Sequence, residues 1–104
     1  MDEELEYNIR MKVLQRNKDV VARKIAGELF LIPVAGNLAD MERMFALTTV
    51  AEFIWERIDG KRNLSDIHRE VLSEFDVDSE QADSDILDFV KELMLAGLVR
   101  ETVP

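Results

Sequence analysis

The chain has 104 residues, a formal net charge of −9, no cysteine and one histidine. It therefore has no disulfide framework and no cysteine-held zinc or iron–sulfur site, and a histidine-based metal centre is not expected. Hydrophobic residues make up 47% and charged residues 34%, an ordinary globular composition that suits a single domain over 1–104, with disorder expected only within residues 1–12.

No apolar run approaches about 20 residues, and the opening MDEELEY lacks the basic and apolar regions of a signal peptide. The cytoplasm is the expected compartment, with no membrane partner and no resident cofactor. Charge is uneven: residues 1–62 hold 10 Lys/Arg against 11 Asp/Glu, whereas residues 63–104 hold 3 against 11. The second half repels phosphate, which argues against nucleic acid and anionic lipid and favours solubility or a basic partner.

In chain order, the β-branched and apolar segments 20–25 (VVARKI) and 28–34 (ELFLIPV) flank Ala26-Gly27, a two-residue turn signal, and predict a hairpin. Pro33 cannot donate to a ladder and marks the end of its strand. The following AGNLAD, with Gly36, Asn37 and Asp40, reads as a mobile linker. A third strand is predicted over 41–47, carrying Met41 and Met44.

Thr49 with Glu52 three residues on predicts a capping box and a helix start. Val50, Phe53, Ile54 and Ile58 form its apolar stripe, widened by Trp55, which is expected in the core. Asp59-Gly60 predicts a tight turn, and Asn63 or Ser65 caps a second helix over 65–75, with Ile67, Val71, Leu72 and Phe75 inward and Asp66, Glu70 and Glu74 in water. Asp78 with Gln81 opens a third helix whose stripe is Ala82, Ile86, Phe89, Val90, Leu93 and Met94; it ends at Gly97, and residues 98–100 return as an extended piece. The fold class is α+β, a winged helix-turn-helix.

That pattern invites a DNA-binding reading, yet the third helix carries Asp83, Asp85, Asp88 and Glu92 against Lys91 alone. As a recognition helix it would add repulsion where phosphate contacts are needed. Catalytic groups are few. His68, among Asp66, Arg69 and Glu70, reads as a surface histidine, the four glycines at 27, 36, 60 and 97 are dispersed, and Asp76, Asp78, Glu80 and Asp83 lack the Gly and final Glu of a calcium loop. Neither an enzyme nor a metal site is expected. The strand at 41–47 lacks an internal proline and is the candidate sheet edge. An edge exposes unpaired N–H and C=O groups that can accept an extended peptide, or a second copy of the chain by strand exchange.

Val20-Val21-Ala22-Arg23-Lys24, the run Leu47 to Trp55, Asp59-Gly60, Leu64, Ile67, Asp85, Leu93 and Gly97-Leu98 together resemble the PqqD family, chaperones of pyrroloquinoline quinone biosynthesis, over about residues 14–100. The resemblance implies a three-stranded antiparallel sheet followed by a three-helix bundle, a peptide-recognition element for ribosomally made precursors. It also implies a non-catalytic role: binding the precursor's leader as a strand added to the third strand, and presenting it to a modifying enzyme, often of the radical S-adenosylmethionine type. Carried onto this chain, Met44, Phe45, Ala46 and Leu47 would face Ile86, Leu87, Val90, Lys91 and Met94 across a groove. Thr48 stands where the family usually has Asn, and the loop 35–42 is longer than usual, so several kinds of modified peptide remain open as clients. The reading from another class is an acidic winged-helix regulator that binds a protein or, with less support, DNA.

Overall fold

Two short antiparallel sheets flank the helices in a computed structural model that describes residues 8–33 and 44–102. The strands are β1 (Val13–Arg16), β2 (Val20–Ile25), β3 (Glu28–Pro33), β4 (Phe45–Leu47), β5 (Asp59–Asn63) and β6 (Val99–Glu101). The helices are α1 (Thr49–Arg57), α2 (Leu64–Glu74) and α3 (Ser79–Leu95). One sheet has the order β2-β3-β4 and the other β5-β1-β6. The expected hairpin and three helices are present; of the third strand expected over 41–47, Phe45–Leu47 forms β4, Met44 precedes it, and residues 41–43, Met41 among them, lie outside the described residues. The linker 35–40 lies outside them as well.

The hairpin turns at Ala26 and Gly27, with φ values of 53° and 85°. Positive φ at both central residues is the turn whose twist matches paired strands. Ile25 and Glu28 close it, so the backbone groups of Glu28, Phe30 and Ile32 face β2, and by alternation those of Leu29 and Leu31 face β4. Leu29 pairs with Leu47, Phe30 with Ala46 and Leu31 with Phe45. Leu29, Leu31 and Leu47 point together into the core and are buried.

The second sheet was not expected, and it changes the reading of Asp59-Gly60. Instead of turning between helices, these residues open β5, which pairs with β1 through a bulge: Val13 lies opposite Asn63 but Gln15 opposite Asp59. Gly60, at φ 81°, supplies the left-handed conformation that such a bulge requires. Asp59 braces it, its carboxylate accepting from the Lys61 and Arg62 amides at 3.0 and 3.2 Å and from Arg62 Nη1 at 2.6 Å. Burial pushes the Asp59 carboxyl up, but these donors outweigh it and bring it below its ordinary value.

The caps follow local chemistry with one correction. Thr48, not Thr49, caps α1; its hydroxyl accepts from the Ala51 amide at 3.1 Å. Thr48 leaves β4 in an extended conformation, which is what a cap needs. Glu52 pairs instead with Lys24 of β2 at 3.1 Å. Asn63 and Asp66 form a reciprocal capping box on α2, and Asp78 caps α3 by accepting from the Gln81 amide at 2.9 Å. At the far end of α3, Gly97 N–H donates to Met94 and Leu98 N–H to Leu93. With Gly97 at φ 75° and Leu93 and Leu98 both buried, this is a complete Schellman closure.

Leu14, Leu31, Ile58, Leu64, Ile67, Val71, Val90, Leu93 and Leu98 are the most deeply buried side chains. Trp55 is in the core, with the Arg16 guanidinium 5.9 Å from its ring centroid. Glu70, expected in water, is half-buried and bridges Arg57 at 3.2 Å and Arg62 at 2.8 Å, tying α1, α2 and β5 together. Of the segment 1–12, where disorder is expected, residues 8–12 are ordered and residues 1–7 lie outside the described residues. A helical turn at 8–11 puts Ile9 in the core and Arg10 on Asp83 of α3 at 3.0 and 2.5 Å.

Two outcomes follow for stability. Alanine pays for its left-handed conformation at position 26, so Ala26→Asn should raise the urea unfolding free energy by about 0.5–1 kcal/mol. The Arg10 hydrogen bonds hold the Asp83 carboxyl below its ordinary value. A depressed carboxyl contributes stability above its unfolded pKa and loses it as pH falls through the folded one. Asp83→Asn should therefore destabilise by about 1 kcal/mol at pH 7, and its urea midpoint should converge on the parent's as pH falls from 5 towards 3.

Candidate peptide-binding groove

No described strand pairs with the outer side of β4. Since Phe45 and Leu47 turn their backbone groups toward β3, the Ala46 N–H and C=O point away from the sheet. Pro33, at the end of β3, lies outside the stretch that β4 uses.

Beside β4 lies a cavity of about 760 Å³, within the usual size range of ligand clefts. Met44, Phe45, Ala46 and Leu47 form one wall; Thr48, Val50, Ala51 and Ile54 come from the cap and body of α1. Val71 of α2 and Val77 with Asp78 of the α2–α3 connection add to it, and α3 contributes Gln81, Ala82, Asp85, Ile86, Phe89 and Glu92. Met44 is 55% exposed and Val77 40%, so the rim offers apolar surface to solvent.

Of the residues the family resemblance points to, the structure places Met44, Phe45, Ala46, Leu47 and Ile86 at this cavity. It does not bring the other four expected residues. Leu87 and Val90 are buried at 4% and 0% exposure, and neither they nor Lys91 and Met94 line the cavity. The wall is displaced around α3 by about one residue, toward Phe89 and Asp85. A signal for this existed: Ala82, Ile86 and Phe89 recur at helical spacing, and Asp78, Asp85 and Glu92 recur every seventh residue along the same side.

The lone histidine is engaged in the fold. His68 Nε2 lies 3.0 Å from the Ser79 carbonyl oxygen, which requires that nitrogen to carry a proton and donate it. No group of three or more His, Cys, Asp or Glu able to hold a metal ion occurs among the described residues. No helix among them is long and apolar enough to cross a membrane.

An α+β fold whose β4 edge is paired by no described strand, beside an apolar, helix-walled cleft, has the architecture that strand-adding peptide recognition uses. The family model for coenzyme PQQ synthesis protein D (PqqD) matches residues 36–99, and the chain belongs to that family. Proteins named PqqA binding protein from Xanthomonas euvesicatoria pv. vesicatoria (strain 85-10) and Xanthomonas axonopodis pv. citri (strain 306) are each 34% identical over 59 residues. That match takes in 57% of this chain and 64% of each relative's length. The fold also matches that of TbiB1, solved in complex with the TbiA(beta) leader peptide, with a TM-score of 0.66 at 22% identity, covering 83% of this chain and 94% of that one.

The two sides of α3 should separate in stability measurements. Leu87→Ala opens a cavity in the core and should cost about 3 kcal/mol in urea unfolding. Phe89→Ala removes a half-exposed ring from the groove wall and should cost well under half of that.

Proposed function

We propose that the protein is a non-catalytic chaperone that binds the leader of a ribosomally made precursor peptide as a strand added to β4. It presents that peptide to a modifying enzyme, of the radical S-adenosylmethionine type. The observation that carries this reading is the outward-facing backbone of Ala46, which no described strand pairs, beside the apolar cavity. Main-chain bonds at the edge supply affinity for any extended segment, and side chains entering the cavity supply selectivity. Family membership supports the reading, as do relatives named for binding PqqA.

The proposed contacts are Met44, Phe45, Ala46 and Leu47 on the strand side and Ile86, Phe89 and Asp85 on the helix side. Leu87 and Val90 act behind this surface by fixing α3 to the core. Binding in the micromolar range, about −8 kcal/mol, suits a short added strand with a few apolar anchors. The chain itself performs no covalent step in this role.

Ala46→Pro provides the test. The Ala46 N–H is not used by β3, and the extended conformation that proline imposes on the preceding residue suits Phe45, so the fold should persist. A leader-type peptide titrated into the labelled parent protein should shift backbone resonances of residues 44–48 and 81–92, and its affinity should fall at least about tenfold in Ala46→Pro. Shifts confined to the β5-β1-β6 sheet, or unchanged affinity in a folded Ala46→Pro variant, would sink strand addition.

A further inference from the structure

Three carboxylates border the groove, Asp78, Asp85 and Glu92, and no Lys or Arg lines it among the described residues. Standing seven residues apart, they fall on one side of α3 and its cap, about 10.5 Å from one to the next along the axis. Asp78 accepts from the Gln81 amide and Asp85 from Gln81 Nε2, each at 2.9 Å through one oxygen, which leaves the second oxygen of each as an acceptor. Ala82, Ile86 and Phe89 lie between them as the apolar floor.

An extended strand advances about 3.4 Å per residue, so about six residues of an added strand laid along α3 would span the 21 Å or so between the outer carboxylates. Side chains on such a strand alternate. One set can descend to the floor, while Lys or Arg in the other lay their stems along the apolar wall and carry their charge to the acidic line. A second copy of this chain, itself of net charge −9, brings like charge to the same place.

Resting on strand addition at β4, we infer that the groove selects a basic, apolar peptide: hydrophobic residues at alternate positions, with two or three Lys or Arg within about seven residues, paired with Asp78, Asp85 and Glu92. Acidic segments are turned away by the same line of charge.

The test uses the full chain and three nine-residue peptides of one alternating Leu/Val pattern, with Lys, Gln or Glu at the intervening positions. Affinities are measured by calorimetry at low and moderate salt. The Lys peptide should bind about tenfold tighter than the Gln peptide at low salt, the Glu peptide weakest, and the preference should shrink as salt rises. In the Asp85→Asn, Glu92→Gln double variant the Lys-over-Gln ratio should narrow to about threefold or less. Asp88→Asn, which removes one charge away from the cavity, should leave the ratio within about twofold of the parent's. Equal binding of the Lys and Gln peptides would overturn the charge selectivity and leave strand addition standing. Failure of all three peptides to bind would overturn both. Lys-peptide binding that survives Ala46→Pro would mean adsorption to surface charge and would also overturn the inference.

Discussion

Backbone parity through the β2-β3-β4 sheet is the constraint on which the groove depends. Because the turn at Ala26-Gly27 has two residues, Ile25 and Glu28 must close it, and every later pairing inherits that choice. The same alternation buries Leu29, Leu31 and Leu47 under the helices and leaves the Ala46 amide and carbonyl facing outward. A slip of one residue would put the leucines in water, so the hydrophobic core enforces the register that exposes the edge. Burial of the leucines and exposure of the β4 edge are two results of one alternation.

The opposite wall is held from both ends. Arg10 grips Asp83 near the start of α3, and the Schellman closure at Gly97 with buried Leu93 and Leu98 locks its end. Between these points Leu87, Val90 and Leu93 seat the helix in the core, while the neighbouring line of Ala82, Ile86 and Phe89 meets the cavity. The Arg57, Glu70, Arg62 and Asp59 network fixes α1 and α2 against β5. A cleft with both walls pinned asks little reordering of the protein, so under the proposed role the ordering cost of binding falls mainly on the peptide.

Much of this was legible in local sequence. Ala26-Gly27 announced the hairpin, and Asn63, Asp78 and Gly97 bounded helices, because caps and turns depend on residues within three or four positions. The α1 cap was misplaced by one, since two adjacent threonines offer the same hydroxyl and only the exit angle of β4 chooses Thr48. On α3, periodicity finds an apolar stripe but does not divide a wide stripe between the side facing the core and the side facing a cleft: of the residues the family resemblance points to, Ile86 lines the cavity, whereas Leu87 and Val90 are buried and do not. Phe89 belongs to the stripe that periodicity picks out and Leu87 does not, yet packing buries Leu87 and leaves Phe89 partly exposed.

By itself, then, the sequence determined the hairpin, the three helices, the acidic character of α3 and the family pattern, all of which rest on short-range geometry and composition. Tertiary structure alone decided the β5-β1-β6 sheet, in which Leu14 pairs with Glu101 and Val13 with Asn63. Strands as short and polar as DGKRN carry little strand preference of their own. They form because distant segments meet in the folded chain and satisfy one another's backbone groups, and neighbouring residues carry no record of that meeting.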